Sequence, residues 1–274
     1  MFESEHLVYL QLQKTGCTHI ARLLNSTIGG KQVQKHNYLP VDLIGKKYIV
    51  GSIRNPWDWY VSLWAFGCNY QGLFRKKLTS RRLNHLRCFP IKQKKYKAVR
   101  GLFYEFNKPV KLWEETYSDV NNPVLFRQWL HLIFHPDRKY DLAEGYGFSS
   151  LSSFAGLLTF RYIYIHSNVL KLSSIFNSNE ISNIDRLHQF DNENNLLNAV
   201  IRNECLEDDL INILEKVGYS LTLKEKEKIL LGKKSNTSKH RSSSFYYDKN
   251  AIEKVHSKEQ FIIDKYAYTP PEIE

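Results

Sequence analysis

The sequence predicts an α/β protein in which helices cover both faces of a mainly parallel β-sheet. Two observations predict this fold. Strand-like runs alternate with helix-like runs along the chain, and two of the strands lead into helices through short polar turns. In such folds, ligands bind at the carboxyl ends of the strands. With 274 residues the chain can bury a sizeable core, so we predict a single domain over 1–274.

The first strand-to-helix unit contains a candidate phosphate-binding turn. We predict a strand over His6–Leu12, a turn over Gln13–Thr18 and a following helix that ends at Gly29. Amide groups at a helix start have no intrahelical partner and attract anions, and Gly16 lets the backbone approach a phosphate closely. Lys14 adds a full positive charge to this turn. The turn does not have the Walker A pattern G-x-x-x-x-G-K-[ST].

The second unit places an arginine at the end of a strand. A strand is predicted over Lys47–Ile53, and the guanidinium of Arg54 directly after it suits a phosphate. Ser62 lies about two turns into the following helix and offers a hydroxyl to the same phosphate. The start of that helix is marked by an N-cap, a first-position proline and a carboxylate that can reach back to a free donor, which are Asn55, Pro56 and Asp58.

The rest of the chain supplies further elements. Apolar spacing predicts a helix over 122–135, and Tyr162–Ile165 is interpreted as a strand. A helix over Leu206–Val217 is predicted to end at Gly218. The polar, serine-rich segment 233–246 is interpreted as a mobile loop. On the helix after Arg54, an apolar stripe is interpreted as core packing and consists of Trp59, Leu63 and Phe66.

The net charge of +11 has a local origin. Residues 75–100 contain eleven Lys or Arg and no acidic residue, so the rest of the chain sums to zero. We interpret 69–105 as a basic insertion. Two interpretations stay open: a solvated surface, or a contact surface for an anionic partner such as an anionic glycan. No nucleic-acid-binding motif accompanies the segment, so nucleic acid is the less favoured partner.

Other features narrow the class of protein. The four cysteines are scattered without a C-x-x-C pair, which predicts neither a disulfide framework nor a metal site. The N-terminus does not have the pattern of a signal peptide. The most apolar region, Phe148–Ile165, is interrupted by serines and by Arg161, so we expect no membrane span. We therefore expect a cytoplasmic protein.

Three segments resemble, in the same order, motifs of the sulfotransferases that use 3′-phosphoadenosine 5′-phosphosulfate (PAPS). Lys14–Thr18 reads K-T-G-C-T and resembles the family's 5′-phosphate-binding segment. Arg54–Ser62 reads R-N-P-x-D-x-x-x-S and is similar to the 3′-phosphate-binding segment. Between them, Lys35–Pro40 resembles the short segment that carries the family's histidine base. The glycine-rich R-K-G segment of the cytosolic members is missing.

The resemblance implies a sulfotransferase with a P-loop-like phosphate-binding loop, PAPS as the sulfuryl donor, no metal, and a hydroxyl acceptor, with a carbohydrate favoured. It implies that Lys14 stabilises the leaving phosphate and that His36 is the general base that removes the acceptor's proton. It also implies a set of nucleotide contacts: Lys14, Thr15, Gly16, Cys17 and Thr18 for the 5′-phosphate, His19 for adenine, Arg54 and Ser62 for the 3′-phosphate, and Arg241 as a lid.

Several of these assignments have alternatives. Glu105, Glu114 and Glu115 are further candidates for the base, because carbohydrate-modifying members of the family often use a glutamate. His19 could stack on adenine or point to solvent, and Cys17 could be a small buried residue or a thiol of lowered pKa.

Two other functions remain open. A nucleotide kinase of similar architecture would need Mg²⁺ ligands and a complete Walker A loop, and the sequence contains neither. A non-catalytic polyanion-binding protein on a sulfotransferase fold would keep the basic segment but would not require Lys14 or His36.

Overall fold

The computed structural model describes residues 1–81, 103–142, 144–232 and 239–273. It is an α/β structure with an open five-stranded sheet in the order β3-β1-β2-β4-β5. The strands are β1 Phe2–Glu3, β2 Leu7–Tyr9, β3 Lys31–Gln32, β4 Tyr48–Ile53 and β5 Ala199–Arg202. The α-helices within the described residues include α1 Cys17–Ile28, α2 Pro56–Cys68, α3 Leu73–Leu78, α4 Val110–Glu115, α5 Pro123–Phe134, α6 Leu157–His166, α7 Ile184–Asn194, α8 Leu206–Lys216, α9 Leu223–Leu230, α10 Ser243–Tyr246 and α11 Lys249–Tyr266.

The sheet is mixed, which corrects the prediction of a mainly parallel sheet. β2, β4 and β5 pair in parallel, whereas β1 pairs antiparallel with both β2 and β3. The short connection between β1 and β2 explains the difference, because a parallel pair needs a crossover of a dozen or more residues. Two of the three parallel strands, β2 and β4, lead toward the predicted phosphate-binding segments.

Each face of the sheet is covered by its own group of helices. Successive residues of a strand point to opposite faces, and β2 shows this clearly. Leu7 and Tyr9 pack with the buried faces of α1 and α8. Val8, between them, packs into the larger core that includes residues of α2, α5, α6 and α11. The expectation of helices on both faces is therefore confirmed.

The parallel pairing of β2 with β4 brings two turns to the same edge of the sheet. Val8 pairs with Ile49, and both strands run toward this edge. The turn before α1 and the turn before α2 therefore leave the sheet side by side. Gly29 is the C-cap of α1, and Asn55 caps α2 by accepting a hydrogen bond from the Trp57 amide at 3.0 Å, as predicted.

The predicted role of Asp58 at this cap is taken by another residue. The Asn55 amide donates to the Glu204 carboxylate at 2.7 Å, and Asp58 instead accepts a hydrogen bond from the Ser243 hydroxyl. Ser243 belongs to α10, so the end of the predicted loop 233–246 is a helical turn with Ser243 and Tyr246 buried. Residues 233–238 lie outside the described residues.

Two predicted helices are confirmed and one predicted strand is wrong. The helices over 122–135 and Leu206–Val217 correspond to α5 and α8. Tyr162–Ile165 lies within α6, which is buried on almost all sides. A helix buried all round presents a continuous apolar run, and periodicity alone does not distinguish such a run from a buried strand.

The basic insertion lies only partly within the described residues. Residues 69–81 and 103–105 are described and include α3, whereas 82–102 are outside the described ranges. Across the described part of the chain, no helix combines the length and apolar character needed to cross a membrane.

Candidate functional site

The turn before α1 is built from two residues in the left-handed backbone region. Lys14 has φ 64° and Gly16, the N-cap of α1, has φ 79°. No side chain caps this helix start, so its first amide groups remain available to a ligand. A Cβ on Gly16 would lie 2.8 Å from Leu206 Cδ1, so glycine is required here for close packing against α8 as well as for its φ angle.

Thr15 faces the protein interior, which corrects the assignment of its hydroxyl to a phosphate. The hydroxyl donates to the Leu12 carbonyl at 2.8 Å and lies 2.6 Å from Ser52 Oγ. Ser52 Oγ in turn lies 2.7 Å from the hydroxyl of Tyr9. This buried chain of hydroxyls links the turn to β2 and β4. These hydrogen bonds fix the position of the turn relative to the sheet.

Cys17 and His19 lie in the first turn of α1 and are both buried. Burial raises the pKa of the Cys17 thiol, which favours the packing role over a reactive thiolate. His19 Nδ1 lies 3.1 Å from Arg22 Nη2, and its Nε2 lies 3.8 Å from a Glu207 carboxylate oxygen. Of the two interpretations of His19, the solvent-facing one is therefore wrong.

Lys14 is a poorly hydrated cation. Its Nζ lies 3.9 Å from the centroid of the Phe66 ring. Burial, with a smaller contribution from the positive charge of Arg54, lowers the pKa of Lys14 to about 8. Phe66 was predicted to pack in the core, but it is only partly buried and its ring contacts the Lys14 ammonium. An anion beside Lys14 would replace the lost hydration and favour the charged form.

His36 has a defined tautomer. Its Nδ1 lies 2.9 Å from the Gln11 carbonyl oxygen, which can only accept, so Nδ1 carries the hydrogen and donates it. The lone pair of the neutral ring is then on Nε2. Burial lowers the pKa of His36 below 6.5, so the ring is neutral at pH 7 and able to take a proton.

Lys14 and His36 line the same cavity, whose volume is about 470 Å³. That volume lies in the range of sites for small organic ligands. Five described non-glycine residues have positive φ, and three of them line this cavity: Lys14, His36 and Glu144. Such backbone conformations cost about 1–3 kcal/mol each and cluster at functional sites. The polar and charged residues of the cavity wall are Gln13, Lys14, Thr18, His19, Lys35, His36, Gln71, Lys77, Glu144 and Arg161.

Arg54 lies close to Lys14 but does not line this cavity. Its Nε is buried and has no hydrogen-bond partner among the described residues. Burial lowers the pKa of Arg54, and the carboxylates of Asp58 and Glu204 partly offset that effect. A buried unpaired donor costs about 1–3 kcal/mol, which an anionic ligand would relieve.

The positions of Ser62 and Arg241 give weaker support to their predicted contacts with the nucleotide. Ser62 is 2% exposed on α2 and does not line the cavity. Arg241 is exposed, and its guanidinium lies 4.4 Å from the centroid of the Phe245 ring. Its neighbour His240 is closer to the site: burial lowers the pKa of His240, and the charges of Arg54 and Lys14 lower it further. The segment that begins at Lys239 therefore lies beside the two cations.

The three reserve carboxylates are not part of the cavity. Glu105 forms an ion pair with Lys108 at 2.8 Å, and Glu114 and Glu115 are exposed on α4. Glu144 lines the cavity instead. No motif in the sequence pointed to it.

Arg161 is the second cavity residue that the sequence did not reveal, because the run around it was interpreted as a strand. Its Nε donates to Glu144 Oε2 at 2.8 Å and its Nη2 to Oε1 at 3.0 Å. Burial raises the pKa of Glu144, but the charge and hydrogen bonds of Arg161 outweigh burial and hold the pKa below 4.5. Glu144 is therefore ionised at pH 7, and both of its carboxylate oxygens accept hydrogen bonds from Arg161.

The cavity thus combines a helix start, a desolvated ammonium, a neutral imidazole and additional cations. Such a set can bind an anionic group and accept a proton from a second group bound beside it. Within the described residues, His, Cys, Asp and Glu side chains do not form a group of three that could hold a metal ion. Comparisons with protein-family models, with curated proteins and with solved structures found no match to this chain.

Proposed function

We propose that this chain is a PAPS-dependent sulfotransferase that transfers a sulfuryl group to a hydroxyl acceptor. One observation carries the proposal. Lys14 and His36, the two residues that the motifs nominate for chemistry, line one cavity from strained, positive-φ backbone positions. PAPS would supply the activated sulfuryl group, and the chain would supply charge neutralisation and a base.

Each of the two residues has a distinct role in the proposed step. His36 Nε2 takes the acceptor's proton as the acceptor oxygen forms a bond to sulfur. Lys14 neutralises the charge that develops on the phosphate oxygen as the sulfur–oxygen bond to the nucleotide breaks. The products are the sulfate ester, the 3′-phosphoadenosine 5′-phosphate and an imidazolium that returns its proton to water. Proton removal by a positioned base contributes roughly 10²–10⁴-fold in rate.

The nucleotide would be held by groups at the edge of the sheet. We propose that residues 13–18 act as a P-loop-like turn, in which the Thr18 hydroxyl and the first amide groups of α1 bind the 5′-phosphate. The unpaired Nε of Arg54 fits the 3′-phosphate. The basic segment at Lys239–Arg241 lies beside Arg54 and would cover it.

The motifs indicate less about how the acceptor binds than about how the nucleotide binds. The partner class that the charge distribution favours is an anionic glycan, which residues 75–100 would contact. Most of that segment, 82–102, lies outside the described residues. The wall of the cavity itself carries Lys35, Lys77 and Arg161 in addition to Lys14.

The decisive experiment compares two nucleotides. By calorimetry we expect 3′-phosphoadenosine 5′-phosphate to bind much more tightly than AMP, and excess EDTA to leave both affinities unchanged. Arg54→Gln should remove most of the difference, and Arg127→Gln, at an ion pair with Asp248, is the matched control. Transfer of labelled sulfate from PAPS is then assayed on glycans and small alcohols.

Two outcomes would contradict the proposal. Equal affinity for AMP, or a requirement for Mg²⁺, would favour a nucleotide kinase. Tight binding of heparin-like polymers without any nucleotide binding would favour a non-catalytic polyanion-binding protein.

A further inference from the structure

One side of the cavity holds an ion pair that the proposed reaction does not use. Arg161 on α6 makes two hydrogen bonds with the carboxylate of Glu144, at 2.8 Å and 3.0 Å. Its side chain is 3% exposed, and the guanidinium lies 5.6 Å from the Trp59 ring and 5.1 Å from the Phe74 ring. The aromatic rings exclude water and fix the plane of the guanidinium.

The ion pair with Glu144 leaves some N–H groups of Arg161 without a hydrogen-bond acceptor among the described residues. A guanidinium carries five N–H groups, and Glu144 accepts two of them, from Nε and Nη2. Nη1 is buried and has no hydrogen-bond partner among the described residues. Nη1 and Nη2 therefore retain three N–H groups between them on a residue of the cavity wall, and two of these lie parallel on one edge of the guanidinium. Two parallel N–H groups on such an edge match the two oxygens of a planar carboxylate.

The charge around the pair also favours an anion. Glu144 neutralises one cation, but Lys14, Lys35, Lys77 and Arg161 all line the cavity, so the described part of its wall has an excess of positive charge. If the phosphates of the nucleotide occupy Lys14 and the start of α1, the unsatisfied N–H groups of Arg161 are left for a different anionic group.

The position of the pair connects it to the acceptor. Arg161 and Glu144 lie close enough to His36 for their charges to act on its ring. A ligand held at the free edge of Arg161 would therefore place its neighbouring groups near the base.

We propose that Arg161 binds a carboxylate of the acceptor, so that the substrate is a compound with both a hydroxyl and a carboxylate, as in a uronic acid unit. The inference rests on the proposed function and extends it to the acceptor class. Glu144 orients the guanidinium, and the free edge recognises the acceptor. The neutral analogue of such an acceptor would leave Nη1 buried and unpaired, which gives selectivity.

The test uses the full chain saturated with 3′-phosphoadenosine 5′-phosphate, and three probes: methyl glucuronide, its methyl ester and methyl glucoside. Calorimetry should show the glucuronide binding about tenfold or more tightly than the two neutral probes. In Arg161→Gln this ratio should fall to about one, while nucleotide affinity stays at the parental value. Arg127→Gln, the control at a partly buried arginine that does not line the cavity, should leave the ratio unchanged.

Removal of Arg161 alone leaves Glu144 without its partner and could prevent folding, so two further variants complete the test. Glu144→Gln keeps Arg161 and should keep the preference for the glucuronide. The double variant Arg161→Gln with Glu144→Gln removes both charges and should lose the preference.

The outcomes separate this inference from the proposed function. If the nucleotide binds but the three probes bind equally to the parent chain, the carboxylate assignment is wrong and the sulfotransferase proposal stands. The same conclusion follows if the double variant keeps the preference. If 3′-phosphoadenosine 5′-phosphate does not bind at all, the proposed function fails first.

Discussion

Lys14 provides a direct physical test of the proposed nucleotide site, because the protonation of its side chain should change if a phosphate binds beside it. Burial lowers its pKa from 10.5 to about 8 in the free protein. A phosphate placed beside its Nζ would favour the ammonium and raise the pKa again. Binding of 3′-phosphoadenosine 5′-phosphate at alkaline pH must therefore be accompanied by proton uptake.

The size of this uptake follows from the two pKa values. At pH 8.5, a lysine with a pKa of about 8 is about one quarter protonated, whereas at its ordinary pKa of 10.5 it is almost fully protonated. Binding at pH 8.5 should then take up about 0.7 proton, against less than about 0.1 at pH 6.5. By linkage, the affinity should fall about 25-fold between pH 7 and pH 9.5.

Few other groups interfere at pH 8.5. Phosphate oxygens, with a second pKa near 6, are already ionised. His36 and His240 have pKa values below 6.5, and burial lowers the pKa of the Met1 amino group to about 6, so all three are neutral. The Cys17 thiol, whose pKa burial raises above 9, stays protonated.

The assay is calorimetry at each pH in two buffers of different ionisation enthalpy, Tris and EPPS at pH 8.5 and imidazole and PIPES at pH 6.5. The difference in apparent enthalpy gives the number of protons taken up. Lys14→Arg is the matched control, since it keeps the charge but does not titrate in this range, so uptake should vanish while binding persists. Tight binding by the parent chain at pH 8.5 without proton uptake would show that no phosphate lies beside Lys14.

Three further predictions concern other parts of the molecule. The variant His36→Asn keeps a hydrogen-bond donor for the Gln11 carbonyl but removes the proton-accepting Nε2. The rate of sulfate transfer should therefore fall about 10²–10⁴-fold, while the affinity for the nucleotide stays unchanged. A variant that turns over at the parental rate would exclude His36 as the base. In urea titrations, Gly16→Ala should destabilise by about 1–3 kcal/mol more than Gly45→Ala. The two glycines have similar positive φ angles, 79° and 75°, but only Gly16 of the two is tightly packed, and equal losses would refute this reasoning. Burial raises the pKa of Glu259 to about 6, so the free energy of unfolding should fall by about 1.5 kcal/mol as pH rises from 4.5 to 6.5. Glu259→Gln should remove this slope, and an unchanged slope would assign it to other groups.

The parts of the site that the sequence predicted depend on local signals. The cap formed by Asn55 and Pro56 locates the start of α2, and the apolar run before Lys14 locates β2. Once both strands belong to one sheet in parallel, their turns must lie at one edge. Local sequence signals, together with the rule that parallel strands end at the same edge of a sheet, are therefore enough to predict that Lys14 and Arg54 lie near each other.

The parts that the sequence did not predict depend on distant contacts. Thr15 looks like a ligand group in sequence, yet its hydroxyl bonds to Leu12 and Ser52, and only the fold shows which way it points. Glu144 lies in an irregular segment, and its partner Arg161 lies in a helix that is buried too completely to show periodicity. Neither residue belongs to a recognisable pattern, although together they form one wall of the cavity.

Three residues with a strained, positive-φ backbone also carry charged or titratable side chains that line the cavity. A left-handed backbone at Lys14, His36 and Glu144 costs free energy that a glycine at each position would avoid. At each position the side chain makes a specific contact: Lys14 with Phe66, His36 with Gln11 and Glu144 with Arg161. Glycine would relieve the strain but would remove the ammonium, the imidazole and the carboxylate from the cavity. The strain therefore falls at positions where a charged or titratable group lines the cavity, as the proposed nucleotide binding and proton transfer require.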